Sequence, residues 1–263
     1  MGDLETKFRK SVAIMDKLRS RKGCPWDREQ TPLTLKKYLI EEAYELVEAL
    51  EEGKTGHIVE ELGDLFFQVL FQARIAKEKK AFGLGDVFQS LNDKMVRRHP
   101  HVFGNRKGEF KNSREVLLNW AGTKKREGKK SFLDGVPKKM PALLRAYRIT
   151  EKAAGVGFDW RKTREILQKL DEEIAEFKHE VLKRAKSGKK RIDDEIGDIL
   201  FTVVNVARYL GIDPESALKR TSDKFIKRFH YIEKGLNRKG IDIKSAGLER
   251  MDSLWNEAKK MGI

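Results

Sequence analysis

The sequence predicts an all-α protein with two helical-bundle domains in tandem. Apolar residues recur at helical spacing, no convincing alternating strand pattern is present, and the second half of the chain repeats the first. The chain has 263 residues, which corresponds to one large or two small domains and is enough to bury a core.

The repeat is carried by two acidic blocks. Residues 41–45 (EEAYE) recur 131 residues later as 172–176 (EEIAE), and residues 61–64 (ELGD) recur 134 residues later as 195–198 (EIGD). Repeats of this length indicate duplicated domains rather than short solenoid units.

Each half carries the pattern of a helical hairpin followed by a third helix. Thr31 and Pro32 predict a helix start, with Thr as the cap and Pro in the first turn, and Gly53 predicts its end. Third helices are predicted over Asp86–Arg98 and Pro214–Phe229. The fold prediction is therefore two small bundles in sequence.

Charge is distributed unevenly along the chain. The net charge is +15, and residues 121–152 hold ten Lys and Arg against three acidic residues, with Gly and Pro among them. Such a segment is typical of a linker. We predict an N-terminal domain over 1–122, a basic linker over 123–138 and a C-terminal domain over 139–263. A solvated hinge is the favoured interpretation, and weak nucleic-acid contact through the linker stays open, although no known nucleic-acid-binding signature supports it.

Several classes of protein are disfavoured. The single cysteine, Cys24, excludes a disulfide framework. The apolar runs Leu65–Ala73 and Ile199–Ala207 are nine residues each, whereas a membrane span needs about 20. The first residues lack the apolar segment of a signal peptide. We expect a soluble cytoplasmic protein without membrane association.

The repeated carboxylates are the candidate functional residues. On a helical projection Glu42 lies at the edge of the apolar stripe and Glu45 follows one turn along, while Glu61 and Asp64 share a face of the next helix. The corresponding residues of the second half are Glu173, Glu176, Glu195 and Asp198.

Two short-linked helices pack antiparallel and can bring four such carboxylates together. Their mutual repulsion would raise their pKa values unless a cation were bound. Oxygen ligands without His or Cys favour Mg²⁺, with Mn²⁺ as a possible substitute, and Mg²⁺ commonly keeps substrate phosphates as further ligands. Glu41 and Glu172 lie nearly opposite the stripe and are at most indirect supports of the site.

Glycines interrupt both second helices, at Gly63 and Gly197. A glycine inside a helix costs about 1 kcal/mol relative to alanine, so a reason for it is expected. Close helix packing is favoured over room for a ligand beside the metal.

These motifs resemble those of MazG-type nucleoside triphosphate pyrophosphohydrolases, which are related to the all-α dimeric dUTPases. The pattern Glu-Glu-x-x-Glu followed by Glu-x-x-Asp is present twice. Residues 23–27 (GCPWD), 97–103 (RRHPHVF) and 156–160 (VGFDW) also resemble full-length, tandem-domain MazG. The resemblance covers nearly the whole chain.

The resemblance implies Mg²⁺-dependent hydrolysis of NTPs and dNTPs to the monophosphate and pyrophosphate, with broad base tolerance and a house-cleaning role. It implies that Glu173, Glu176, Glu195 and Asp198 are metal ligands, and that Lys224, Arg228 and Trp255 bind the nucleotide with Arg191 close by. Lys94, Arg98 and Trp120 are the N-terminal counterparts, and His57 replaces Arg191. The C-terminal copy is expected to be the better general NTPase.

For the chemical step, Glu176 or its neighbour Glu173 is the candidate to orient or deprotonate water. Glu45 and Glu42 are the matching residues of the first half. The open apolar face of a hairpin plus one helix, and the symmetric dimers of relatives, predict a homodimer. Two alternatives remain open: a narrow hydrolase of one modified nucleotide or alarmone, and a basic helical nucleic-acid-binding or regulatory protein.

Overall fold

The computed structural model describes residues 2–105, 108–112, 115–116, 131–183 and 188–263. Within these ranges the regular structure is entirely helical, which confirms the all-α prediction. Also within these ranges, no helix combines the length and the apolar character needed to cross a bilayer.

The chain divides into two compact units, Met1–Glu109 and Phe110–Ile263. The predicted domain boundary at residue 122 and the first part of the predicted linker, 123–130, lie outside the described residues. The basic residues Lys124, Lys125 and Arg126 also lie there, so the linker and its nucleic-acid contact stay predictions.

The first unit is built around one helical hairpin. Its helices are α1 (Gly2–Leu18), α2 (Pro25–Glu29), α3 (Lys36–Glu52), α4 (Thr55–Glu78), α5 (Leu84–Arg98) and α6 (Pro100–Phe103). Helices α3 and α4 pack most extensively on each other, and α1 and α5 pack on α4. The hairpin turns at Gly53, whose left-handed φ of 71° suits glycine.

The second unit repeats the hairpin. Its helices are α7 (Ala142–Ala154), α8 (Thr163–Leu182), α9 (Lys189–Tyr209), α10 (Pro214–Asn237) and α11 (Leu248–Lys260), with a 3₁₀ turn at Ile243–Ser245. Helices α8 and α9 form the hairpin, α7 packs against α9, and α11 packs against α10.

The predicted start of α3 at Thr31 and Pro32 is wrong by four residues. Thr31 and Thr34 instead form a local turn, in which each side-chain oxygen accepts a hydrogen bond from the other residue's backbone N–H, at 2.8 and 3.2 Å. The α-helix begins only at Lys36. Threonine hydroxyls can satisfy backbone groups in a turn as well as at a helix cap, and here the turn is preferred.

Each unit has its own core. In the first unit the buried cluster is Met15, Leu35, Leu70, Phe71 and Ile75. In the second it is Ile232, Leu236, Ala246 and Leu254, and Trp255 packs against it. The first cluster packs α1 on α4 of the hairpin, whereas the second lies between α10, the 3₁₀ turn and α11.

A buried arginine joins three helices of the first unit. The side chain of Arg19 is only 6% exposed and forms an ion pair with Glu78 of α4 at 2.7 Å. Its guanidinium also donates hydrogen bonds to the backbone oxygens of Asp27 and Gln30. This network fixes the α1–α2 connection on the hairpin.

Candidate metal centre

The first hairpin brings three carboxylates together. Glu42 and Glu45 of α3 and Glu61 of α4 each present an oxygen atom, and these atoms lie within 4.8 Å of one another. This compact group does not include Asp64, but the charge of Asp64 contributes to raising the pKa of Glu42. We call these four residues the first carboxylate group.

The electrostatics of the first group match its crowding. Burial is the main cause that raises the pKa of both Glu42 and Glu61, and neighbouring carboxylates raise both further. The Gln68 side-chain amide donates a weak hydrogen bond to Glu42 at 3.4 Å. One carboxylate oxygen of Glu61 is buried without a hydrogen-bond partner among the described residues.

The second hairpin forms a related but not identical group. Here Glu173 of α8 and Glu195 and Asp198 of α9 present oxygen atoms within 4.8 Å of one another. Glu176 is exposed and outside this compact set, yet after burial its charge is the next cause that raises the pKa of Glu195. These four residues are the second carboxylate group.

The second group also contains an orphaned oxygen. One carboxylate oxygen of Glu195 is buried and has no hydrogen-bond partner within the described part of the chain. Buried polar atoms are normally satisfied, so an unpaired carboxylate oxygen points to a missing ligand. The same feature at Glu61, the matching residue, makes a local packing accident a poor explanation.

A lysine that sequence reasoning missed lies on the second group. Lys169 Nζ lies 2.8 Å from Glu173 and 2.8 Å from Glu172. These two hydrogen bonds, that to Glu172 first, raise the pKa of Lys169. The sequence could have revealed this contact, because Lys169 and Glu173 are four residues apart and side chains at that spacing meet on a helix. Among the described residues Glu172 contacts Lys169, which also contacts Glu173, while Glu41 is exposed.

The preferred explanation of the interior glycines is wrong for the described chain. A Cβ atom built on Gly63 or on Gly197 meets no atom within 4 Å. Neither glycine is therefore needed for close packing within one unit, which leaves room for a ligand as the other explanation.

A cavity of about 570 Å³ adjoins the second group. Glu173, Asp198 and Lys169 contribute to its wall. The other lining residues are mostly apolar or aromatic: Leu133, Ile149, Thr150, Ala153, Gly157, Phe158, Asp159, Trp160, Phe201, Thr202 and Asn205. Its size and its apolar lining with a few polar groups are typical of small-molecule sites.

Two of the predicted nucleotide-binding residues of the second unit, Arg228 of α10 and Trp255 of α11, contact each other. The guanidinium of Arg228 lies over the Trp255 ring, 5.4 Å from its centre, and donates a hydrogen bond to the backbone oxygen of Ile263 at 2.6 Å. Trp255 also packs on Phe225, at 5.1 Å. Lys224 is exposed, and so is Arg191 in the first turn of α9.

In the first unit, Lys94 and Arg98 are half-buried near the end of α5. His57, which replaces Arg191, lies 3.1 Å from Glu52 at the hairpin turn. Trp120 lies outside the described residues.

Both carboxylate groups fit a hard divalent cation. Their donors are all carboxylate oxygens on two adjacent helices, and each has an unpaired buried oxygen. Such donors suit Mg²⁺ or Mn²⁺ rather than a soft metal. A bound cation would also relieve the repulsion that raises the pKa values of Glu42, Glu61 and Glu195.

Comparison with known proteins assigns this chain to a family. The family model described as the MazG nucleotide pyrophosphohydrolase domain matches the chain twice, over residues 30–103 and 161–232. The chain belongs to the MazG family.

Two curated relatives match this chain over nearly their whole length. The chain is 43% identical to the nucleoside triphosphate pyrophosphohydrolase/pyrophosphatase MazG of Thermotoga maritima, over 96% of this chain and 95% of the relative. It is 39% identical to a nucleoside triphosphate pyrophosphohydrolase of Escherichia coli K12, over 96% of this chain and 97% of the relative. It is also 47% identical to the uncharacterized protein YabN of Bacillus subtilis, where it covers 50% of that longer chain.

Proposed function

We propose that this protein hydrolyses nucleoside triphosphates to the monophosphate and pyrophosphate, with Mg²⁺ as the metal and a house-cleaning role in the nucleotide pool. The observation that carries the proposal is the pair of matched carboxylate groups with unpaired buried oxygens, at Glu61 and Glu195. The full-length likeness to relatives named as nucleoside triphosphate pyrophosphohydrolases supports the same reaction.

The metal ligands are proposed to be the two carboxylate groups: Glu42, Glu45, Glu61 and Asp64, and Glu173, Glu176, Glu195 and Asp198. A bound divalent cation would neutralise the triphosphate and make a water molecule more acidic. Glu176 is exposed and outside the compact set of the second group. Its carboxylate is therefore the better placed of the two candidates, Glu176 and Glu173, to orient that water and accept its proton.

The second unit offers a place for the nucleoside next to the phosphates. The cavity beside Glu173 and Asp198 has aromatic side chains, Phe158 and Trp160, on which a base can stack. Thr150, Thr202 and Asn205 are among its polar groups. Because an aromatic wall accepts the face of any base, this lining favours broad base tolerance.

Lys224 and Arg228, with Arg191, are proposed to neutralise the charge that develops on the leaving pyrophosphate. Trp255 holds Arg228 by a cation–π contact. In the first unit Lys94 and Arg98 would take the same part. Because His57 carries less positive charge than an arginine at neutral pH, the second unit is the better general NTPase under this proposal.

A second copy of the chain is proposed to cover an apolar stripe on each hairpin. Leu62, Phe66 and Val69 of α4 are 36–51% exposed, and their counterparts Ile196, Leu200 and Val203 of α9 are 44–52% exposed. Three apolar residues at helical spacing, open at matched places in both units, are what a homodimer interface requires.

The reaction is tested by product analysis in water enriched in ¹⁸O. Attack at the α-phosphorus places the label in the monophosphate, whereas attack at the β-phosphorus places it in pyrophosphate. We expect label in the monophosphate for ATP, GTP, CTP, UTP and dNTPs when Mg²⁺ is present. A panel in which one modified nucleotide or alarmone alone reacts would contradict the broad proposal.

The paired variants Glu45→Gln/Glu61→Gln and Glu176→Gln/Glu195→Gln assign the activity to each unit. Combining both pairs should abolish hydrolysis. Full activity in the fourfold variant would refute the proposal.

A further inference from the structure

The lysine on the second carboxylate group distinguishes the two halves of the chain. Lys169 Nζ lies 2.8 Å from an oxygen of Glu173, whose side chain is 8% exposed. It lies equally close to the exposed Glu172. An ammonium group is thus already seated on the most buried of the three carboxylates that form the compact set.

In the first unit a tyrosine takes the matching place. Tyr38 precedes Glu42 by four residues, as Lys169 precedes Glu173. The Tyr38 ring packs edge-on against Trp26, at 5.7 Å between ring centres. The polar neighbour of Glu42 from α4 is the neutral amide of Gln68, so it leaves the charge of the carboxylates uncompensated.

An ammonium group and a divalent cation compete for the same carboxylate oxygens. A metal ion that binds Glu173 must displace Lys169 Nζ or lie within a few ångströms of it, where the repulsion between like charges is strong. At the first group the matching residue is Tyr38, which carries no ammonium group. A metal ion that binds Glu42 therefore meets no such competitor at that position.

We infer that Lys169 is an internal counterion that opposes metal binding at the second carboxylate group. Without nucleotide, the first group therefore takes up a divalent cation at a lower concentration than the second. The inference rests on the proposed function, because it treats both groups as metal sites.

The test is a Mn²⁺ titration of the full chain without nucleotide, in which the electron paramagnetic resonance signal of free Mn²⁺ is measured. Glu42→Gln/Glu61→Gln leaves only the second group, and Glu195→Gln/Asp198→Asn leaves only the first. We expect the first group to bind Mn²⁺ roughly tenfold more tightly, as neighbouring charges at this distance shift proton equilibria by about one unit or more.

Lys169→Met tests the residue itself. In the chain with only the second group, this change should raise Mn²⁺ affinity roughly tenfold, because it removes the competing charge and keeps the length of the side chain. Lys178→Met is the matched control, since Lys178 is an exposed lysine of the same helix, and it should change the affinity by less than about twofold.

Tyr38→Lys is the reciprocal change in the chain with only the first group. It should lower Mn²⁺ affinity, whereas Tyr38→Met, which also loses the contact with Trp26, should not. Circular dichroism of each variant shows that the helices are retained.

Two results would overturn the inference: an unchanged affinity in Lys169→Met, or an equal gain in Lys178→Met, which would indicate a general charge effect. A wild-type chain that takes up no Mn²⁺, even with a non-hydrolysable triphosphate present, would instead overturn the proposed function and this inference with it.

Discussion

Glu195 shows how a single side chain can favour function over stability. Burial and neighbouring carboxylates, chiefly Glu176, Asp198 and Glu173, raise its pKa. One of its oxygens is buried and unpaired within the described residues. In the metal-free protein an ionised Glu195 is therefore destabilising.

We predict that Glu195→Gln raises the melting temperature of the metal-free protein at neutral pH. In a chain whose first carboxylate group is disabled by Glu45→Gln/Glu61→Gln, it should lower kcat for NTP hydrolysis by roughly 100-fold or more. The amide removes the repelled charge but also removes a metal ligand. Differential scanning calorimetry with chelator and a phosphate-release assay measure the two effects. Asp193→Asn, an exposed change on the same helix, should leave both values nearly unchanged, and a lower melting temperature in Glu195→Gln would contradict the account.

Helical periodicity predicts most of the carboxylates that converge, although Asp64 and Glu176 lie outside the compact sets. Glu42 and Glu61 lie beside apolar stripes whose burial is set by a period of 3.6 residues, so their meeting follows from the hairpin. The part played by Lys169 does not follow in this way. A lysine on a helix is usually solvated, and its seat on Glu173 depends on the burial of that carboxylate.

Among the helices, α1 is joined to α4 by two ion pairs, of which Arg19–Glu78 is more buried than Arg74–Asp16. The hydrogen bond from buried Arg19 is the main cause that lowers the pKa of Glu78 below its usual value of 4.5. A carboxyl with a lowered pKa contributes stability that is present above its unfolded pKa and is lost as the pH falls through its folded pKa.

We predict that Glu78→Gln costs about 1–3 kcal/mol of unfolding free energy at pH 7, because the Arg19 guanidinium loses its charged partner. The difference in unfolding free energy between Glu78→Gln and wild type should be constant above about pH 6 and shrink below about pH 4.5. Urea denaturation across this pH range measures this difference. Glu5→Gln breaks an exposed ion pair with Arg9 and should cost under about 1 kcal/mol.

The glycine of α9 permits a second prediction about a helix. We predict that Gly197→Ala raises stability by about 1 kcal/mol, since a Cβ there meets no atom within 4 Å. It should lower NTPase activity, because room for a bound ligand is then the remaining reason for a glycine at this position. Thermal denaturation and kcat/KM on the same samples separate the two effects. Gly235→Ala is the contrast: its Cβ would lie 3.0 Å from Leu254, so it should not stabilise.

Helix bounds show where local sequence signals are ambiguous. Gly53 ends α3 as predicted because a left-handed residue is required there. Thr31 does not begin the helix, because its hydroxyl accepts a hydrogen bond from the backbone N–H of Thr34 in a local turn. The third helices were predicted correctly in position, and that of the second unit extends further, to Asn237.

On the scale of the whole molecule, the exposed stripes of the hairpins are the main apolar surface with a repeated pattern. Sequence periodicity predicts that these apolar residues share one face of the helix. It does not predict which of them face the core of the unit and which face a partner. Leu70 is 4% exposed, whereas Val69 beside it is 38% exposed.

We predict that Leu200→Glu converts a dimer into a monomer, because it places a charge in the middle of the proposed interface. Light scattering coupled to size-exclusion chromatography gives the molar mass. Leu182→Glu, at an 86% exposed leucine outside the stripe, should leave the mass unchanged. A wild-type chain that elutes as a monomer at all concentrations would contradict the dimer.

The short turn between α3 and α4 has a consequence for synthesis of the chain. All four acidic residues of the first group come from one hairpin, so they are near neighbours along the polypeptide. Contacts of such short range form quickly. We expect the hairpin to bring its four carboxylates together while later parts of the chain are still being synthesised. Mg²⁺ in solution would then stabilise the folded hairpin before any substrate binds.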